Sequence, residues 1–180
     1  MNKTGPRMLT FTGKLVNPLD LHQDDICIED IAHALAYQCR YNGHTKKFYS
    51  VAEHCILLAV TDEYPGPPGM KLMHDAAEAY LPDVCCPLKN YLEGFKEIEE
   101  NVMKVVSKVF GLPLFKGVIN DAVKEGDSKI IYWESKALMP EHEVWGEPTK
   151  PFVELLGLTP WQAEELFLKL FSEIFEKETS

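Results

Sequence analysis

The sequence predicts an all-α protein that opens with a short N-terminal β-hairpin. Apolar residues recur at helical spacing through most of the chain, strand-like alternation is confined to one early stretch, and clustered prolines and glycines separate the periodic segments. Residues Leu9 to Val16 alternate around Thr12-Gly13-Lys14, and the turn pair Asn17-Pro18 follows them, which is the hairpin. From Ile28 onward, Ile28, Ile31, Ala32, Leu35 and Ala36 fall on one helical face, and Gly43 with its polar neighbours ends that element.

Ser50-Val51-Ala52-Glu53 has the form of a capping box, in which Ser50 caps the Glu53 amide and the Glu53 carboxylate reaches back. A helix is therefore expected from Val51 to about Asp62. Pro65-Gly66-Pro67-Pro68-Gly69 breaks the chain, Met70 to Leu81 read as the next helix, and Pro82 and Pro87 bracket a loop. Between Leu88 and Phe110, a line of Leu, Phe, Ile and Val residues occupies one face and Lys and Glu the other, with Gly111 and Pro113 as the stop. Further helices are expected from Val118 to about Leu138 and from Thr159 to about Lys177, the last with Pro160 at its first position. Pro140 to Pro151 read as a loop, and Trp133, Trp145 and Trp161 as packing residues.

The chain has 180 residues, of which 46% are hydrophobic, enough for one domain spanning 1–180 with a substantial core. Its 28 acidic against 18 basic residues give a net charge of −10, which argues against double-stranded nucleic acid or an anionic membrane as partner. The longest apolar run, around Cys55 to Val60, is far short of the roughly 20 residues a membrane span needs. The polar start Met1 to Arg7 lacks a signal-peptide core, so a cytoplasmic location is expected. Five cysteines without C-x-x-C spacing indicate neither a disulfide framework nor a zinc ribbon, and reduced, mostly buried thiols are expected.

One pair of residues stands out against this background. His74-Asp75 interrupts the apolar stretch from Leu72 to Tyr80, and burying an imidazole and a carboxylate without a partner would cost several kcal/mol, roughly. A divalent cation is the natural partner for both. His54, on the helix that begins at Val51, and Asp127, in the apolar-framed segment Ala122 to Ile131, complete a candidate set of two imidazoles and two carboxylates. Mixed nitrogen and oxygen ligation leaves the metal open among Co, Mn, Zn, Mg, Fe and Ni.

The order H…HD…D, as His54, His74-Asp75 and Asp127, resembles the HD-domain metal-dependent phosphohydrolase superfamily. Five flanking strings extend the likeness: Ile28 to Leu35, Arg40 to Thr45, Phe48 to His54, His74 to Asp83, and Val123 to Asp127. Together they are similar to a compact bacterial and phage branch, that of the 5'-deoxynucleotidases and phage deoxynucleoside triphosphohydrolases, over roughly residues 8 to 170. The fold so implied is an HD-domain helical bundle with the metal between helices.

The resemblance also implies roles. Glu78, three and four residues past the dyad, would act as general base or steer the attacking water. Asp83 matches an aspartate near the scissile phosphate and sugar, and Arg40 an arginine that grips phosphate. Lys89 and Lys124 lie near the implied metal and suit a polyphosphate, Tyr41 offers a ring to stack on a base, and His44 lies in a loop that can face substrate. His33 reads equally as a hydrogen-bonded core residue. The implied activity is attack of metal-activated water on a deoxynucleotide, foremost on the α-phosphorus of a deoxynucleoside triphosphate (dATP-type). The alternatives are a 5'-deoxynucleotidase acting on monophosphates and a non-enzymatic sensor of metal and nucleotide. Alarmone hydrolases carry a further acidic residue after the motif glutamate, where this chain has Ala79. The resemblance further implies a homo-oligomer in the bacterial cytosol, or in the host cytosol if phage-encoded.

Overall fold

The computed structural model describes residues 5–113, 118–141 and 154–175. Among them the chain is mostly helical, with one two-stranded hairpin near the N-terminus. Strand β1 (Met8–Leu9) pairs antiparallel with β2 (Leu15–Val16), Met8 facing Val16 and Leu9 facing Leu15. Gly13 turns between them at φ 85°, a left-handed conformation that a side chain disfavours. The turn is tied down by Asp30, whose carboxylate accepts from the Thr12 amide at 2.7 Å and the Thr12 hydroxyl at 2.8 Å.

Helix α1 (Ile28–Tyr37) buries Ile31, Ala32, Leu35 and Ala36, the face its periodicity predicts. A tight turn over Arg40–Gly43 leads to α2 (Val51–Val60), which is apolar almost all round and buried from Val51 to Ala59. Such a helix belongs at the centre, and α1, α3 (Pro68–Met73) and α7 (Pro160–Phe175) pack around it. Ser50 caps α2, accepting from the Glu53 amide at 3.0 Å. The expected return bond is not made: the Glu53 carboxylate instead accepts from the amides of Gly157 and Leu158 at 2.8 and 3.1 Å. Those amides lead into α7, so a group expected to cap its own helix anchors the approach to another. The α7 start has a complete capping box of its own, Thr159 accepting from the Gln162 amide at 3.3 Å and Gln162 from the Thr159 amide at 3.0 Å.

Two expected helices are broken. Met70 to Leu81 is not one helix: α3 ends at Met73, Asp75 leaves helical geometry at φ −99°, ψ 13°, and a 3-10 turn covers Ala76–Ala79. Adjacent side chains on a regular helix diverge, so His74 and Asp75 can converge on one point only where the helix unwinds. Leu88 to Phe110 likewise divides into α4 (Cys86–Lys89) and α5 (Phe95–Val109), with Gly94 at φ 78° between them. Leu92 thus lies off the long helix. Helix α6 (Val118–Leu138) has its predicted bounds.

Smaller expectations fare unevenly. Trp161 is 64% exposed rather than packed, and Trp133 is half-buried. Trp145 and most of the expected loop from Pro140 to Pro151 lie outside the described residues. Of the thiols described, Cys55 alone is buried; Cys27, Cys39 and Cys85 are half-buried. His33 is no core residue: it stacks between Phe11 and Tyr37 and pairs with Glu164 of α7 at 3.0 Å. No helix among the described residues is long and apolar enough to cross a membrane.

Candidate metal centre

Three elements bring the dyad and its partners together. His54 comes from the second turn of α2, His74 and Asp75 from the unwound end of α3, and Asp127 from the middle of α6. His54 Nε2 lies 3.2 Å from His74 Nε2 and 3.1 Å from an Asp127 oxygen, and His74 Nε2 lies 3.2 Å from an Asp75 oxygen. His54, His74 and Asp75 form a group that could hold a metal ion, with ligand atoms all within 4.8 Å of one another. Ligands each about 2.1 Å from one cation would sit roughly 3.0–3.4 Å apart at tetrahedral or octahedral angles, which these spacings approach.

The far sides of both imidazoles strengthen the fit. His54 Nδ1 donates to the Glu134 carboxylate at 2.6 Å, and His74 Nδ1 donates to the Lys71 carbonyl at 2.8 Å. Protons held at both Nδ1 atoms leave two Nε2 lone pairs facing each other across 3.2 Å, beside two carboxylates. Such a group of electron donors calls for a cation. Exposure rises outward through the set, from 0% for His54 and 9% for His74 to 19% for Asp75 and 31% for Asp127. The set opens on a cavity of about 810 Å³ that His74, Asp75 and Asp127 line together with Lys89 and Lys124.

Arg40 reaches the same cluster. Its turn holds Tyr41 and Asn42 at φ 57° and 51°, a strained conformation for non-glycine residues, and the Arg40 amide donates to the Tyr49 carbonyl at 2.9 Å. The buried guanidinium donates to Asp75 at 3.4 Å and lies 3.6 Å from Glu134. Burial opposes the charge on Asp75, but His74, His54 and Arg40 outweigh it and hold the carboxyl well below its usual range. Glu78 is the opposite case: burial first, then the Asp75 and Asp83 carboxylates, push it up to about 9. Lys89 approaches Glu78 at 3.6 Å but is bonded more closely to Glu99 at 2.6 Å.

The remaining expected residues divide. Asp83 is set beside Glu78 by Gln38, whose amide group donates to the Glu78 carbonyl at 2.8 Å and accepts from the Asp83 amide at 3.1 Å. Tyr41 turns its hydroxyl to Glu134 at 2.9 Å, an anchoring contact where a base-stacking ring was expected. His44 is exposed, and among the described residues nothing joins its side chain to the cluster.

Glu134 was not foreseen. Fully buried, it accepts from His54, Tyr49 and Tyr41, and its interactions with His54, Arg40 and Tyr49 overcome its burial to hold it at about 2. Its signal lay in the spacing of α6: Val123, Asp127, Ile130, Glu134 and Leu138 form one stripe, whose apolar members are buried. Two carboxylates on a core-facing stripe, seven residues apart, mark a polar centre as clearly as the dyad does.

No family model matches the chain. The uncharacterized protein YfdR of Escherichia coli (strain K12) is 34% identical over 174 residues, covering 93% of this chain and 94% of that one. An uncharacterized protein of Rhodobacter capsulatus is 32% identical over 174 residues, covering 88% of this chain and 87% of its own. The chain belongs to the family of YfdR.

Proposed function

We propose that this protein is a metal-dependent phosphohydrolase of the HD-domain type that acts on deoxynucleotides, foremost as a deoxynucleoside triphosphate triphosphohydrolase. The observation that carries the reading is the convergence of His54, His74, Asp75 and Asp127 beside a cavity that the last three line, with Arg40, Glu78 and Lys89 next to them. His54, His74, Asp75 and Asp127 would hold the metal. A divalent cation supplies Lewis acidity there, lowering the pKa of a water and offsetting negative charge on phosphoryl oxygens.

The protein groups do the rest. Glu78, pushed up by burial and by the facing Asp75 and Asp83 carboxylates, would take the proton of the attacking water once a cation shares their charge. Arg40, already against Asp75, presents its remaining donors to the phosphoryl oxygens, while Lys89 and Lys124 orient the chain of phosphates. The water oxygen bonds to the α-phosphorus, the bond from phosphorus to the 5' oxygen breaks, and that oxygen takes the proton that Glu78 received from the water and leaves as deoxynucleoside. Triphosphate is the other product.

One observation favours a monophosphate substrate instead. Lys89 is already paired with Glu99 and Glu78, which reduces the positive charge available to a polyphosphate. The deciding experiment is chromatographic product analysis with each deoxynucleoside mono- and triphosphate, in the presence of Mn, Co, Mg, Zn, Fe or Ni. Triphosphate as product supports the first reading and phosphate from monophosphates alone supports the second. Metal and nucleotide binding without turnover would replace both with a sensor.

A further inference from the structure

The cavity beside the metal centre is also walled by α5 and α6, and one polar group on that wall has nothing to bond among the described residues. Ser107 on α5 is 2% exposed, its hydroxyl has no hydrogen-bond partner among the described residues, and it lines the cavity. An unsatisfied buried hydroxyl costs stability, so a position that carries one calls for an explanation. Along α5, Phe95, Glu99, Met103 and Ser107 follow one another at four-residue spacing on the cavity wall. Along α6 the same wall continues from Asp127 back through Val123 to Asn120.

On each helix the wall runs about two turns from a residue tied to the centre. Lys89, which reaches toward Glu78, bonds Glu99 on the first half of α5, and Ser107 lies two turns farther on. Asn120 lies two turns from the ligand Asp127, about 10.5 Å along the axis. Between metal centre and far end the wall is partly apolar, with Phe95, Met103 and Val123. A ligand fixed at the metal by its phosphate would lay a flat apolar body along this wall and present a polar edge to Ser107.

We infer that Ser107 is a specificity residue that hydrogen-bonds the edge of the nucleobase at the end of the cavity remote from the metal. The inference rests on the deoxynucleotide reading above and adds to it the placement of the base. A hydroxyl both donates and accepts, so it recognises a ring nitrogen, a carbonyl or an exocyclic amine.

The test compares the whole protein with Ser107→Ala and Ser107→Leu, using deoxynucleoside mono- and triphosphates and the base-free 2-deoxyribose 5-phosphate. Ser107→Ala removes an unpaired hydroxyl, so its thermal midpoint should be unchanged or higher. The expected result is a fall of about tenfold in the ratio of kcat/KM for the preferred deoxynucleotide to that for the base-free sugar phosphate, carried by KM. Ser107→Leu should deepen the loss by filling the base site. An unchanged ratio in both variants would overturn the inference, as would a loss confined to triphosphates, which would assign Ser107 to the phosphate chain. Should the wild type turn over nothing, equilibrium dialysis of the same nucleotides with the Mn-loaded proteins decides. Weaker binding by both variants would uphold the base site while the hydrolase reading falls, and equal binding or none would overturn the inference.

Discussion

Glu134 shows how much of the centre depends on a residue behind the candidate ligands. It fixes the His54 tautomer, collects two tyrosine hydroxyls and faces Arg40, so its charge is shared among several groups. Glu134→Gln keeps the size but offers an amide nitrogen to partners that are themselves donors. The expected result is a metal affinity 10- to 100-fold weaker by calorimetric titration, and a loss of about 3 kcal/mol in denaturant unfolding. Unchanged affinity would mean that His54 needs no orienting partner. Asp30 sets a cleaner electrostatic test because it lies away from the centre. Burial opposes its charge, but bonds from Cys27 and Thr12 overcome this and hold its carboxyl below the ordinary 3.8. A depressed folded value means that the stabilisation is present above about pH 4 and is lost as the pH falls through the folded value. Asp30→Asn should therefore cost about 1–2 kcal/mol at neutral pH and flatten the decline of the thermal midpoint between about pH 5 and 2. At this scale the sequence announced the four candidate ligands through their order and apolar framing. It concealed Gln38, because an amide bridging two backbones leaves no local pattern of its own, while Glu134 was legible only through the buried stripe it shares with Asp127 on α6.

At the level of elements, the legible features were those set by local chemistry, such as the Ser50 cap, the Thr159-Pro160 start and the bounds of α6. What escaped were breaks imposed from elsewhere: the unwinding at Asp75, the turn at Gly94, and the diversion of Glu53 from its own helix to the loop before α7. Each answers a demand of tertiary structure, in the first case that two adjacent side chains meet. The contact of α6 with its neighbours obeys a similar demand. A Cβ added at Gly126 would lie 3.0 Å from the Tyr64 Cβ and 3.2 Å from a Leu58 methyl, so the missing side chain lets α6 come close enough to place Asp127 beside His54. Gly126→Ala sets a helix-propensity gain of about 1 kcal/mol against an overpacking cost of about 1–3 kcal/mol. A net destabilisation of about 1 kcal/mol is expected in urea, together with weaker metal binding as Asp127 is pushed outward. A stabilised variant with full metal affinity would show that the contact yields freely.

Across the whole molecule, the site gathers charge that the fold only partly balances. Asp75, Glu78, Asp83 and Asp127 stand with Glu134 around two imidazoles, and the fixed cations near them are Arg40 and Lys89, the latter shared with Glu99. Burial first, and then the neighbouring carboxylates, raise the Glu78 and Asp83 carboxyls. A cation bound between α2, α3 and α6 would relieve the repulsion among the carboxylates and at the same time link three elements, so its binding energy adds directly to folding stability. At a free Mn concentration 100 times the dissociation constant, the gain is about 2.7 kcal/mol. For a chain of this length that corresponds to a rise of roughly 5–10 °C in the thermal midpoint, reversed by a chelator. Asp127→Ala should abolish the metal-dependent rise and the proposed hydrolysis together, because this side chain lies 3.1 Å from His54 Nε2, where it would close the ligand set, and lines the cavity. A rise that survives in the variant would remove Asp127 from the ligand set. If no metal of the six raises the midpoint of the wild type, the paired Nε2 atoms of His54 and His74 must hold a proton between them, and the centre would be a buried ion-pair network that braces α2 against α6.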